Sequence, residues 1–337
     1  MSRLRRPVRT AASLAAVTAL SLTASGCMTV HGELAVLPAA APTEAEQALQ
    51  AFTDAYNAAD RAYDPALDAD RVTGPLGAIN QAGLRARSLT SPGGNAAHQP
   101  LALTDAKFTI LKKAGWPRWF VADTDSNRDR DDGSAADTRW LLVFVRNGPE
   151  ADWKVPYLTI VPENGVPAFK TDGDGFGVPV EPDTEALAVA PKDLSAEYAS
   201  YLGDGTPEHF ADGPHTSQWR AARKKKERLP GIATQYVDRE ATDGDFAPLG
   251  LETADGGALV FFATRYFERQ TGAKGVKPQV SADVRALMTG EVTNTLTKQW
   301  VSSQSVLVPR AGSGSGSGSG KVEITGRLQG VTSAKGS

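Results

Sequence analysis

Cysteine occurs once in this 337-residue chain, at Cys27, so no disulfide can form within it. A lone thiol in an oxidising compartment is a cross-linking liability unless it is itself the group that reacts. Other residue types that carry chemistry are scattered. Asp123, Asp125 and Asn127 match the first, third and fifth oxygen ligands of a calcium loop. The sixth place demands glycine and holds Arg128, and the twelfth demands glutamate and holds Ser134. Arg128 and Arg130 also bring positive charge into the loop, so a solvated turn between strands is expected there. His31, His98, His209 and His215 show no metal-ligand spacing. Gly312-Ser313-Gly314-Ser315-Gly316 meets a loose serine-nucleophile pattern only because the tract 312–320 alternates the two residues. No phosphate loop or dinucleotide fingerprint is present. The motifs therefore announce no catalytic, cofactor-binding or metal residue, and no cofactor is expected.

Arg220, Arg223, Lys224, Lys225, Lys226 and Arg228 form a basic run on a helix predicted from Ser217 through Trp219 to Leu229. Two readings stand: a solvated helix face, or a contact for anionic headgroups, a wall polymer or a protein partner. The formal net charge of −3 argues against nucleic acid as that partner, because phosphate binding needs a broadly basic surface.

The setting of Cys27 is the most specific signal. Arg3, Arg5, Arg6 and Arg9 precede an uncharged apolar stretch from Ala11 to Ala24, and small residues lead up to Gly26-Cys27. The stretch is shorter than the ~20 residues of a spanning helix. Residues 1–26 resemble a bacterial lipoprotein signal peptide, with Ala24-Ser25-Gly26-Cys27 in the place of the lipobox. That resemblance implies a diacylglyceryl group on the Cys27 thiol, cleavage of the Gly26–Cys27 bond and an acyl (palmitate-type) chain on the new terminus. It implies a cell-membrane, lipid-anchored protein on the extracytoplasmic face. An ordinary secreted protein with a free thiol is the alternative, and Arg5-Arg6 leaves the export route open. Abundant Ala, Gly, Asp, Arg and Thr give the composition an actinobacterial cast.

The rest of the chain must position whatever the protein does. After a spacer at 27–42, Thr43 and Glu46 have capping-box spacing. Ala45, Leu49, Phe52, Tyr56, Ala59 and Tyr63 then draw one apolar helical stripe that ends before Pro65. A second helix is expected over 76–86, a loop at 91–95, and strands at 107–111, 119–124, 140–145 and 154–161. Proline-rich 165–191 reads as a connection. The order then repeats: helices from Asp193 and Ser217, and strands at 233–237, 246–251, 258–266, 292–308 and 322–331.

Helices followed by antiparallel strands, twice over, predict an α+β chain of two domains, 43–185 and 190–337, each with N-terminal helices packed on a curved sheet. The order resembles tandem cystatin-like or nuclear-transport-factor-2-like domains, which wrap a bent sheet around a conical pocket. Taken with the signal, the chain is similar to actinobacterial lipoproteins. The expected role is non-enzymatic binding or scaffolding at the cell surface. A pocket enzyme of the ketosteroid-isomerase or dehydratase kind is the alternative, since its residues meet only in space. Tyr56, Asp60 and Tyr63 on the first helix are its candidates.

Overall fold

A computed structural model describes residues 35–130, 137–313 and 320–337; Gly26, Cys27, His31 and the predicted signal lie outside them. Residues 35–337 make one compact unit. The chain is α+β. Its strands are β1 (Val36–Pro38), β2 (Leu103–Ile110), β3 (Lys112–Ala114), β4 (Arg118–Ser126), β5 (Thr138–Arg146) and β6 (Lys154–Pro162) in the first half. The second half holds β7 (Arg228–Leu229), β8 (Ile232–Ala241), β9 (Leu249–Glu252), β10 (Ala258–Gly272), β11 (Met288–Thr289), β12 (Thr295–Val308) and β13 (Glu323–Gly336). Among the described residues, five α-helices accompany them: α1 (Pro42–Ala62), α2 (Gly74–Thr90), α3 (Leu194–Asp204), α4 (Ser217–Lys226) and α5 (Ala282–Ala286).

Helix α1 begins one place before the expected box. Pro42 supplies a preset φ in the first turn, and the Glu44 carboxylate accepts the Ala41 N–H at 3.3 Å. The Thr43–Glu46 pairing is therefore not the one used; Ala41 is the N-cap. Ala45, Leu49, Phe52 and Ala59 are buried as their spacing requires, while Tyr63 leaves the stripe as the left-handed C-cap, at φ 52°. Helix α2 runs further at both ends than expected, and nothing lies near Gly83 to make its missing side chain count.

The first sheet has the order β2-β4-β5-β6, all antiparallel. One face carries Phe120, Ala122, Leu142, Phe144 and Leu158 against Phe52 and Leu49 of α1 and Leu76 of α2. Phe120 stacks on Phe144 with ring centres 4.9 Å apart, and Phe52 meets Phe144 edge-on. The other face carries Trp119, Val121, Leu141, Val143 and Tyr157 against Leu251, Leu259, Phe261 and Ala263 of the second half. Because both faces are covered, β5 reads as an unbroken apolar run without alternation.

The second sheet has the order β11-β13-β12-β10-β8-β7, with β9 also on β10. Its far face packs Val260, Phe262, Val306 and Val308 under Leu194, Tyr198, Tyr201 and Leu202 of α3. The layers are thus helices, sheet, sheet, helices. Two contacts pin the sheets together: Thr159 of β6 bonds Ser305 of β12 at 2.8 Å, and Gly326 of β13 sits against Thr159. A Cβ at Gly326 would lie 2.0 Å from the Thr159 hydroxyl, so only glycine fits this approach.

Two expected connectors are ordered. The stretch 165–191 makes isolated bridges, Phe169 to Thr253, Pro179 to Leu251 and Leu187 to Arg310, and so stitches the halves instead of merely joining them. The end of the expected spacer is strand β1, paired with β3, followed by buried Ala39 and Ala40. Helix α4 stops at Lys226, and Arg228–Leu229 is strand β7, where a continuous helix to Leu229 is the expectation from sequence. The expected loop 312–320 joins β12 to β13, with 314–319 outside the described residues.

Candidate functional site

The helix-covered face of the second sheet changes character along its length. Near α3 it is apolar, but two residues further along each strand it turns polar and aromatic. Register puts Asp238 of β8 opposite Tyr266 of β10, and Tyr266 opposite Trp300 of β12. Alternation then brings Tyr236, Thr264, Glu268, Lys298, Ser302 and Gln304 to the same face. Strand β13 adds Arg327 opposite Gln304 and Gln329 opposite Ser302. From above, α4 contributes Trp219 and Arg223, four residues apart and hence on one side of the helix.

Arg223 is the centre of this face. Its side chain is 5% exposed, and it grips the 3%-exposed Asp238 carboxylate with two bonds, 2.7 Å from Nη1 and 3.0 Å from Nη2. The guanidinium lies 4.6 Å from the Tyr266 ring centre, 4.7 Å from Tyr236 and 5.3 Å from Trp219. Each contact is of cation–π type, which gains strength away from water. Arg327 lies 4.3 Å over the other part of this cluster, the Trp219 ring, and donates from Nε to Ser302 Oγ at 2.9 Å. Its Nη2 is buried and makes no hydrogen bond among the described residues; the same holds for Arg223 Nε, Trp219 Nε1 and Trp300 Nε1. Tyr266 stacks on Trp300 at 5.5 Å and donates to Gln329 Oε1 at 3.0 Å.

The electrostatics follow from burial. Desolvation, helped by the negative charge of Glu268, pushes the Tyr236 hydroxyl up to about 12. Tyr198 is raised to about 12 by burial and donates to the His215 carbonyl at 2.5 Å. Tyr266 is raised further, again by desolvation, and desolvation lowers Arg327. His215 is pushed down by burial first and by the Arg327 charge second. The tyrosines therefore stay protonated at neutral pH. The carboxylates are engaged: Asp238 by Arg223, and Glu268 by Lys298 at 2.7 Å and Gln270 at 3.0 Å. What this face offers is donors and cations, which suits recognition of acceptor-rich or anionic groups. A cavity of about 730 Å³ opens beside it, between α3, α4 and β8, lined in part by Arg220, Arg223, Lys224, Arg228, Gln235 and Tyr236.

The basic run is thus divided. Arg223 turns inward, Arg220 lies 5.1 Å over Tyr201, Lys224 pairs with Glu227 at 2.8 Å, and Lys225 and Lys226 are exposed. Sequence reasoning missed Asp238, Tyr266, Trp300 and Arg327, which meet only through strand register.

Asp60 is 2.7 Å from His98 Nδ1, accepts from Asn95 at 2.9 Å, and lies 3.9 Å from Arg87. Tyr63 packs under the Arg87 guanidinium, and Tyr56 packs on Phe52, its hydroxyl raised by burial and then by the Asp60 charge. Tyr56 borders an apolar cavity of about 450 Å³ with Leu76, Ile79, Leu158 and Leu328. Of the calcium-like residues, Asp123 accepts from Arg139 Nε at 2.7 Å and Asn127 is bonded to Ala102 and Pro100; Ser134 lies outside the described residues. His209 is 2.7 Å from Glu197.

Residues 36–336 match the family model of a domain of unknown function, DUF8094. The chain is similar to an uncharacterized lipoprotein of Streptomyces coelicolor, 52% identical over 335 residues, which covers 99% of this chain and 97% of the relative. It is similar also to an uncharacterized lipoprotein of Streptomyces avermitilis, 52% identical over 334 residues with the same coverage. Both relatives come from an actinobacterial genus, in line with the compositional cast, and both names carry the lipoprotein assignment. No solved structure matches.

Proposed function

The chain belongs to the DUF8094 family, and on that premise we propose that it is a lipid-anchored binding or scaffolding protein of the extracytoplasmic face. The lipoprotein names of its relatives support membrane anchoring. The finer reading is that Gly26–Cys27 is the cleavage site, Cys27 carries the diacylglyceryl and acyl chains, and the body works close to the bilayer. We read 43–185 and 190–337 as related domains that share the core between their sheets, each with its sheet curved under its helices in the nuclear-transport-factor-2-like manner.

One observation carries binding over catalysis. The polar face where a pocket enzyme would keep a free carboxylate beside a tyrosine is filled by Arg223, which occupies Asp238 with both terminal nitrogens. That carboxylate is occupied by its partner and is not presented to a ligand. The adjoining cavity, with Arg220, Lys224, Arg228 and the exposed Lys225 and Lys226, is the contact surface for a protein or cell-wall partner. Photo-cross-linkers placed at Lys225 and Lys226 in cells test this. A discrete adduct at both positions, abolished by Arg220→Glu, is expected. Recovery of lipid alone, or of nothing with either cross-linker, would contradict it and leave the helix as solvated surface.

A further inference from the structure

Exposed large apolar side chains are few among the described residues, and two of them are adjacent at the start of the described chain. Val36 is 62% exposed and Leu37 is 47% exposed, both on β1. Among the described residues strand β1 pairs only with β3, which places Leu37 across from Lys113 and Pro38 across from Lys112. The turn after β3 brings Trp116 between two guanidinium groups, Arg118 at 4.6 Å and Arg146 at 5.2 Å. Arg146 is neutralised by Glu44 and Lys112 by Asp172 and Asp174. Lys113 makes no ion pair among the described residues, and Arg118 donates only to the carbonyls of Gly115 and Pro38. Val36 and Leu37 project to opposite sides of β1, so an apolar tip flanks this edge on each side, with an amphipathic indole and two cations without a carboxylate beside it. That combination is the one side chains adopt at a membrane–water interface.

Covalent connectivity says which surface it meets. Ala35 is only eight residues after Cys27, and at ~3.3–3.6 Å per residue the strand begins within about 30 Å of the lipidated thiol. The geometry points to the β1–β3 edge, with Val36, Leu37, Lys113, Trp116 and Arg118, as the face that rests on a bilayer bearing anionic headgroups. This rests on the lipid-anchor reading and adds to it: the acyl chains hold the protein, and the edge fixes its orientation. A second, weaker membrane signal beside an acyl anchor is a known physical economy, since the anchor makes the contact effectively intramolecular.

The test uses the processed protein in vesicles of phosphatidylcholine mixed with phosphatidylglycerol. Cys27 is the only native cysteine and is blocked by lipid, so a single new thiol is labelled uniquely. An environment-sensitive fluorophore on Val36→Cys or on Leu37→Cys should blue-shift and be quenched severalfold by nitroxide-labelled lipids. The same fluorophore on Leu229→Cys, a half-exposed site in the second half, should not. Lys113→Glu should weaken the quenching at position 37. Floating protein with no quenching at 36 or 37, equal quenching at 229, or no effect of Lys113→Glu would overturn the orientation while leaving the anchor intact. Protein that fails to float with the vesicles would overturn the anchor and this inference together.

Discussion

Arg223 and Asp238 show how one buried pair sets the character of a site. The pair sits at 5% and 3% exposure and satisfies most of its own hydrogen bonds. Removing one partner strands the other charge, which costs about 3–5 kcal/mol, whereas an apolar pair of similar volume often costs little. Urea denaturation should accordingly show Arg223→Met or Asp238→Ala strongly destabilised. The double variant Arg223→Met with Asp238→Leu should be milder than either; a double variant worse than the sum of its parts would contradict this reading. Asp68 is a second case. It is buried, and desolvation raises its carboxyl to about 6 despite the amide donors of Asn80 and Gln81. Its folded form holds the proton more tightly than the unfolded chain, where the carboxyl titrates near 3.8. Stability from this group is therefore complete below about pH 4 and declines as pH rises toward 6, by about 3 kcal/mol at ~1.4 kcal/mol per pH unit. Asp68→Asn should flatten that part of the pH profile of the denaturation midpoint, and an unchanged slope would refute the assignment.

At the level of elements, the pinning of β6 to β12 and β13 depends on the absence of a side chain at 326. Gly326→Ala forces a methyl onto Thr159 and should destabilise by about 1–3 kcal/mol. Adding Thr159→Ala removes the obstructing hydroxyl, and a double-mutant cycle should show positive coupling between the two sites. Independent, additive effects would mean that the sheets do not meet there as described. Elements whose periodicity is local were legible in the sequence: the α1 stripe, the strands β4, β5 and β6, and the helices opening the second half. Strand β1 was not, because three residues carry no period, and its partner β3 is separated from it by more than seventy residues. The candidate site was only half legible. Trp219 and Arg223 lie on a helix that the spacing predicts, but Tyr236, Asp238, Tyr266, Trp300 and Arg327 are polar or aromatic alternations that would equally suit a solvated strand face. A usable signal was present in Thr264, Tyr266 and Glu268 on β10 and Lys298, Trp300, Ser302 and Gln304 on β12, since alternation of large polar residues in central strands implies a covered polar face.

For the whole molecule, two sheets back to back with helices outside leave two surfaces for the proposed contacts: the α4 cavity for a partner, and the β1–β3 edge for the bilayer. Both presuppose that the protein is tethered through Cys27. Each buried CH₂ contributes about 0.8 kcal/mol, so two or more acyl chains hold a protein firmly where one does not. Because the proposed lipid site is the only thiol in the chain, a single substitution there would separate anchored from free protein. The decisive measurement is membrane fractionation with metabolic incorporation of an alkynyl fatty acid, comparing the native chain with Cys27→Ala. The account predicts a labelled, membrane-bound native protein and an unlabelled variant that moves to the soluble fraction. A variant that is labelled and retained as the native chain is would contradict it.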